Sequence, residues 1–471
     1  MALSQPAAAG APQRQGETEL VRPTVGPAQI ADRMLAALVE VNGVPGMAAA
    51  VWKDGAILWA GEAGFRNAEQ RLPVEAGTVF RLASVSKIFA VVAAARLREQ
   101  GLLDVNRPVQ EIVDHLDNDW PPITSRQLAS HTSGIPHYQE IDSGRGGIKF
   151  ENMEKSVSVF SGRDLLFTPG TGYNYSSYGY TLLSAVVEKA AGQPYLDYLA
   201  AAIVPGLHIG PDITDTSHTD ASTAYTYIEG ELAVAPPHDY SYSWGGAGLG
   251  SNASDLAEFG GRILSGAVIS DASFAWMQQP ARLSDGSSVE EGGFPVGFGL
   301  RGGTDIDGER IVHHAGVTLG ARSVLMLYPD SKVAASVLSN APWVSNIEQT
   351  AIMLAAPFHK PLAPQDSNPC PLEATRYAGT SNGVSLVGTA HFVLDEGICV
   401  GTISIAGPLA EWFNNAPQRD TDSIRIIGLN AHRGLASAAL ITPYGAYDFR
   451  PDGGAYSTEF NSKRSLSVTF E

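Results

Sequence analysis

Cysteine is nearly absent. Cys370 and Cys399 are the only two in 471 residues, which rules out a disulfide scaffold and a cysteine-rich zinc site and leaves room for one bridge at most. Charge is also sparse: charged residues make up 17% of the chain, and 31 basic against 49 acidic side chains give a net charge of −18. That balance disfavours phosphate backbones and anionic lipid surfaces, so neither nucleic acid nor a membrane is expected as a partner. No apolar run approaches the roughly 18 residues of a membrane-spanning helix. Met1 to Arg22 lacks the basic-then-apolar order of a secretion signal, and residues 1–24 are expected to form a flexible leader. No solenoid-type period recurs, and no H-E-x-x-H pattern marks a metal site. The chain is expected to fold and work without a cofactor.

What remains is a globular, loop-rich composition, with 44% apolar residues, 50 Gly and 29 Pro. Ile30, Met34, Leu35, Leu38 and Val39 recur at helical spacing before Gly43, which predicts an amphipathic helix over 27–41. Residues 47–65 read as two strands about Asp54-Gly55, a dipeptide that tolerates positive φ and suits a tight hairpin. Further helices are expected at 84–100, 126–130, 178–191, 195–203, 255–264 with Ser254 as cap, and 344–356. Strand patterns fall at 311–318, 322–328 and 332–339. Helices at both ends and in the middle, with hairpins beside them, imply an α+β architecture: an antiparallel sheet flanked by helices, plus a helical subdomain. Pro361, Pro364, Pro369 and Pro371 punctuate a linker at 359–374. It is expected to separate a catalytic domain, 25–358, from a C-terminal all-β domain, 375–471, folded as a small barrel or sandwich.

Three patches carry chemistry. Ser84-Val85-Ser86-Lys87 is an S-x-x-K sequence at a helix start, and a spacing of three puts Ser84 and Lys87 on one face. A lysine shielded from water can have its pKa lowered enough to take the serine proton. The same pattern arises by chance on many helices, so alone it says little; Ser86 faces elsewhere and is the poorer nucleophile. Tyr173-Asn174-Tyr175-Ser176-Ser177-Tyr178 follows Pro169-Gly170 and leads into a helix. Tyr175 beside a lysine can act as general base and then acid, although plain aromatic packing is the commoner fate of such a cluster. In His313-His314-Ala315-Gly316-Val317, the small Gly316 precedes Val317, whose backbone N–H can serve an oxyanion. His314 can hydrogen-bond substrate or orient Tyr175; the plainer reading is a histidine pair at a strand edge, and a metal ranks last. Trp244, ahead of a glycine-rich run, either lines the cleft or packs, with packing favoured.

In this order the three patches resemble those of class C β-lactamases, D-alanyl-D-alanine carboxypeptidases, D-aminopeptidases and related esterases. That penicillin-recognising, serine β-lactamase-like superfamily carries S-x-x-K, Y-x-N and K-T-G or H-x-G. Phe80-Arg81-Leu82-Ala83, Ser130-His131-Thr132-Ser133-Gly134-Ile135-Pro136 and Gly245-Gly246-Ala247-Gly248-Leu249 fit as well, so the resemblance spans about residues 27–358. Within the superfamily, Tyr175-Ser176-Ser177-Tyr178-Gly179-Tyr180-Thr181-Leu182-Leu183 and Gly320-Ala321-Arg322-Ser323-Val324-Leu325 look most like the mitochondrial β-lactamase-like serine protease. Bacterial relatives of that protease, including peptidases that open linearised microcystin, look similar too.

The resemblance implies a β-lactamase/transpeptidase-like fold and an acyl-enzyme on Ser84, with Lys87, Tyr175 and His314 as catalytic partners. It places the backbone N–H groups of Ser84 and Val317 around the oxyanion beside Gly316, and Ser177 toward the substrate; Trp244 is the further candidate for the substrate side, should it line the cleft. Two departures stand out. Ser177 occupies a position where many relatives have Asn, and His314 replaces the lysine of K-T-G, removing a fixed charge that would grip a carboxylate. Both turn the expectation from β-lactams toward peptides or esters, and the likeness to the mitochondrial serine protease favours a peptidase cleaving amide bonds in small or linear peptides. A carboxylesterase, acyl transferase or weak β-lactamase using the same residues is the alternative, and a noncatalytic binding or assembly protein that keeps the fold is a third. A periplasmic or secreted location is the family's usual one, and an oligomer is left open.

Overall fold

Asp54 and Gly55 take φ of 50° and 90°, the left-handed pair that a tight hairpin requires. They fold strand β1 (Gly46–Lys53) onto β2 (Ala56–Asn67). The computed structural model describes residues 25–114, 116, 119–212, 220–359, 368–414, 421–429, 434–460 and 464–471; the expected leader lies outside them. With β3 (Leu72–Pro73), β4 (Arg301–Thr304), β5 (Arg310–Thr318), β6 (Ala321–Tyr328) and β7 (Val333–Ser339), the hairpin builds one seven-stranded sheet. Its order is β4-β5-β6-β7-β1-β2-β3, with every neighbour antiparallel. The two ends of the catalytic segment thus meet at its centre, where Met47 lies opposite Ser339.

Strand alternation divides the apolar side chains between two cores. Ala48, Ala50, Trp52, Leu325 and Leu338 join a front core with helices α2 (Ser86–Glu99), α3 (Ser177–Ala191) and α4 (Ala253–Leu264). Met47, Ala49, Val51, Val324 and Val337 join a back core with α1 (Pro27–Asn42) and α5 (Ile347–His359). Helix α1 forms as its pattern predicts: Ile30, Met34, Leu35, Leu38 and Val41 are buried, Pro27 sits in the first turn, and Gly43 closes the helix at φ 62°. Helix α2 is apolar on nearly every side and buried from Ser86 to Ala95, as a helix inside the front core must be.

The elements depart from the sequence expectations at their ends. Ser84 lies in a separate 3₁₀ turn, Ala83–Val85, ahead of α2. Asn252, not Ser254, caps α4, because its Oδ1 accepts from Asp255 N at 2.8 Å while Ser254 is already inside the first turn. The stretch 195–203 splits into an α turn, Tyr195–Tyr198, and a π turn, Leu199–Ile203. Helix α5 begins at Ile347 instead of Val344, since Asn346 N donates to Tyr444 O at 2.8 Å.

The C-terminal β region is a closed barrel, not a sandwich. Its eight strands are β8 (Arg376–Ser381), β9 (Val384–Asp395), β10 (Ile398–Ser404), β11 (Ser423–Gly428), β12 (Ala438–Thr442), β13 (Gly445–Asp452), β14 (Ala455–Phe460) and β15 (Arg464–Phe470). Closure removes the unpaired edges of a free sheet. Of the expected linker, 360–367 lie outside the described residues. After them Pro369 bridges to Gly434 and Cys370 is disulfide-bonded to Cys399. Ile426, Leu440 and Ile441 of the barrel belong to the same buried cluster as Leu35 and Leu38 of α1. Among the described residues no helix is long and apolar enough to cross a membrane.

Because α1 is wedged between sheet and barrel, Leu38→Ala should lower unfolding stability by about 2–5 kcal/mol through the cavity it leaves. Urea denaturation of the full chain measures this, and a loss well under 1 kcal/mol would refute the shared core.

Candidate active site

Ser84 is held on a constrained turn. Ala83, immediately before it, takes φ 48°, a left-handed conformation that costs a non-glycine residue about 1–2 kcal/mol and survives only where neighbours enforce it. Ser323 Oγ of β6 donates to Leu82 O at 2.6 Å, and Leu82 N donates to Leu249 O at 2.8 Å. Leu249 N in turn donates to Ser86 Oγ at 3.1 Å, so the Ser86 hydroxyl serves to hold the turn.

Lys87, one helical turn on, is completely buried. Its Nζ lies 3.1 Å from Ser84 Oγ, 2.9 Å from Ser177 Oγ and 2.7 Å from Gly246 O. Burial, reinforced by the positive charge of Arg301, holds its pKa well below the ordinary lysine value, with Glu291 pulling weakly the other way. A neutral amine satisfies this shell as well as an ammonium does. It donates to Gly246 O and Ser177 Oγ and accepts from the Ser84 hydroxyl.

Tyr175 closes the third side. Lys87 Nζ stands 4.6 Å from the centre of its ring, and Ser84 and Tyr175 line the same cleft. Burial drives the phenol pKa upward, and neither Arg301 nor Ser84 reverses that. Tyr175 is therefore a neutral O–H at rest, and Lys87 is the group poised to accept a proton. Two histidines fix the loop: His131 Nδ1 accepts from Ser176 N at 3.1 Å and His137 Nδ1 accepts from Ser177 N at 3.2 Å. Their rings lie 4.4 and 5.5 Å from Tyr175. Both are held neutral, chiefly by burial and then by Lys87, His137 down to about 4.

Strand β5 supplies the fourth side. A Cβ added at Gly316 would sit 2.6 Å from Leu82 O and 2.8 Å from Ser84 N, so only glycine lets β5 approach the serine turn this closely. Val317 follows with its side chain 52% exposed, and β4 pairs only with 310–313 of β5, leaving 314–318 without a strand partner on that side. His314 is buried with its ring 6.4 Å from Tyr175; Nδ1 lies 2.7 Å from Ala315 O, and burial with Arg301 and Lys87 nearby keeps it neutral. Ser84, Lys87, Tyr175, Ser177, His314, Gly316 and Val317 thus converge. Ser177 is the exception in its surroundings: it is buried against Lys87 instead of facing the cleft. Trp244 is not brought to the cleft either, but packs at the margin of the front core.

A cleft of about 580 Å³ opens at Ser84 and Tyr175 and is lined further out by Arg301, Glu291 and Phe294. Among the described residues no cluster of His, Cys, Asp or Glu is arranged to hold a metal ion.

A family model described as Beta-lactamase matches residues 31–355. The chain belongs to the β-lactamase family. Its members are serine hydrolases, and the relatives agree: the chain is 26% identical to the mitochondrial serine β-lactamase-like protein LACTB of Homo sapiens over 392 residues, covering 64% of this chain and 72% of that protein. Penicillin-binding protein 4* of Bacillus subtilis is 26% identical, with 70% and 77% covered, and a D-aminopeptidase of Gluconobacter oxydans is 26% identical, with 69% and 61% covered. Among solved structures, the octameric penicillin-binding protein homologue from Pyrococcus abyssi shares the fold over 93% of this chain and 99% of its own, with a TM-score of 0.58 at 21% identity.

Sequence reasoning missed two groups in this β-lactamase-family site. Arg301 and Glu291 form a partly buried pair, with Arg301 Nε and Nη2 at 3.0 and 2.5 Å from the two carboxylate oxygens and Cζ 6.0 Å from the Tyr175 ring. Arg301 lies on a strand whose next residues, Gly302 and Gly303, carry no strand propensity. His131 and His137 flank a stretch noticed only for its resemblance, and nothing local announced that they would cap the Tyr175 loop.

Gly316→Ala should cut kcat/KM by about 10²–10³, since the new methyl group pushes β5 off the serine turn. Turnover and thermal melting of the variant check this; intact activity would mean that the close approach is not needed.

Proposed function

We propose that this chain is a serine peptidase that forms an acyl-enzyme on Ser84 and cleaves amide bonds in small or linear peptides. The observation that carries the reading is the contact of a buried, proton-poor lysine amine with the Ser84 hydroxyl. In acylation Ser84 Oγ attacks the carbonyl carbon and its proton passes to Lys87 Nζ. The backbone N–H groups of Ser84 and Val317 stabilise the oxyanion. As the C–N bond breaks, Tyr175 gives its proton to the leaving amine and is reprotonated from Lys87. Water then repeats the sequence: Lys87 takes its proton, oxygen attacks the acyl carbon, and Ser84 Oγ leaves with a proton returned by Tyr175. His314 keeps Tyr175 in place from the strand side.

Amide substrates are favoured by two features. The free edge of β5 at 314–318 can take an extended peptide backbone as an added strand. Arg301 meets Glu291 with Nε and Nη2 only, so its outer edge is left to grip a substrate carboxylate, the task that a K-T-G lysine would otherwise serve. The D-aminopeptidase likeness lends further support.

A fluorophosphonate probe should label the native chain and fail to label Ser84→Ala, and mass spectrometry after exposure to a peptide, ester and lactam panel should find an acyl adduct on Ser84. An unlabelled native protein would sink the reading. Because protonated Lys87 cannot accept a proton, kcat/KM should rise with pH through an acid limb set by that amine, well below the ordinary lysine range. Lys87→Arg should lose both limb and activity.

A further inference from the structure

We propose that the barrel forms the far half of the substrate groove, taking the distal, basic end of an extended linear peptide whose scissile bond lies at Ser84. This extends the peptidase reading above and rests on it for the peptide's identity. The cleft that opens at Ser84 does not end at the catalytic sheet. A second cavity of about 560 Å³ lies on the barrel wall, and Ile306, Asn346 and Gln349 line both. The floor between them is rigid. Asn346 Nδ2 donates to Ala446 O at 3.0 Å, Ala446 N donates to Thr350 Oγ1 at 3.0 Å, and Arg450 of β13 bonds Asp307 in the loop between β4 and β5.

The chemistry of the second cavity selects its occupant. Its walls offer hydroxyls and carboxylates, including Ser457, Ser467, Asp452 and Glu459, which suit the donors and acceptors of a peptide backbone and not an acyl chain. Tyr447 backs this cavity, with its ring packed 4.8 Å from that of Phe460. Among the described residues of the wall the one cation, Arg450, is committed to Asp307 and Asp448. Asp452 and Glu459 are exposed and form no ion pair among the described residues. The outer end therefore carries surplus negative charge and matches a lysine, an arginine or a free amino terminus.

The test uses full-length Ser84→Ala and two fluorescent linear peptides of about nine residues, long enough when extended to leave the catalytic cleft, identical except for Lys or Glu at the distal end. Anisotropy at low salt should show the Lys peptide binding about fivefold tighter or more, with the difference shrinking as salt is added. Adding Asp452→Lys and Glu459→Lys should invert the preference, and in the Ser84 background the same pair should leave turnover of a short ester unchanged. Equal binding of the two peptides, or a preference untouched by charge reversal, would overturn the proposal. Fluorophosphonate labelling reports separately on Ser84: an unreactive serine defeats the peptidase reading while the binding measurement still decides the groove.

Discussion

The chemistry of this molecule depends on an amine kept away from water. Lys87 has no exposed surface, and its three neighbours, Ser84 Oγ, Ser177 Oγ and Gly246 O, are all oxygen acceptors with no carboxylate among them. Had a carboxylate stood at 3 Å, the ammonium would be stabilised and unable to take a proton. A buried lysine surrounded by neutral dipoles instead sheds its charge, and the serine hydroxyl becomes its natural donor. This also explains Ser177. A hydroxyl there is compact enough to stay beneath Lys87, whereas a longer amide reaches outward; its role here is to seat the amine.

The groups in contact with that amine hold it without offering it a counter-charge. Arg301 supplies positive potential that disfavours the charged forms of Lys87, His131 and His314 together. Glu291 takes up Arg301 side-on and keeps the guanidinium in a low-dielectric place. The neutral histidines accept the first N–H groups at the start of α3, so His131 and His137 fix Tyr175 by hydrogen bonds to its successors in the chain and by ring contact. The strained Ala83 and the missing side chain at Gly316 belong to the same arrangement: both let the backbone of β5 approach the Ser84 turn closely.

Much of this was legible in the sequence because it is local. S-x-x-K states a spacing on one helix; Asp54-Gly55 states a turn; the α1 pattern states a buried face. The α+β class followed from the same signals, and so did an all-β tail, although a barrel and a sandwich share one alternation and the choice awaited strand pairing. Arg301, Glu291, His131 and His137 were not legible, for they come from separate strands and loops that meet only when the sheet closes. Ser177 was given to the substrate on its position in a motif, and packing placed it under Lys87 instead, while Trp244 packs, the reading its sequence context favoured. The cap of α4 shows the same limit on a small scale: Asn252 and Ser254 are both good capping residues, and only the direction of the chain chose between them.

The sheet is a common wall, and that ties the barrel to the serine. Residues of β5, β6 and β7 alternate between the two cores, so Val324 packs toward α1, α5 and the barrel while Ser323, its neighbour, clasps Leu82 beside the nucleophile. A shift of β6 driven from the back core therefore moves the Ser323 hydroxyl and with it the turn that presents Ser84. Densely packed interiors transmit such displacements because they cannot absorb them. Closing the back core with Ile426, Leu440 and Ile441 steadies the strand on which the Ser84 turn rests, and a sheet without it would have an exposed apolar face and a loosened turn from the same cause.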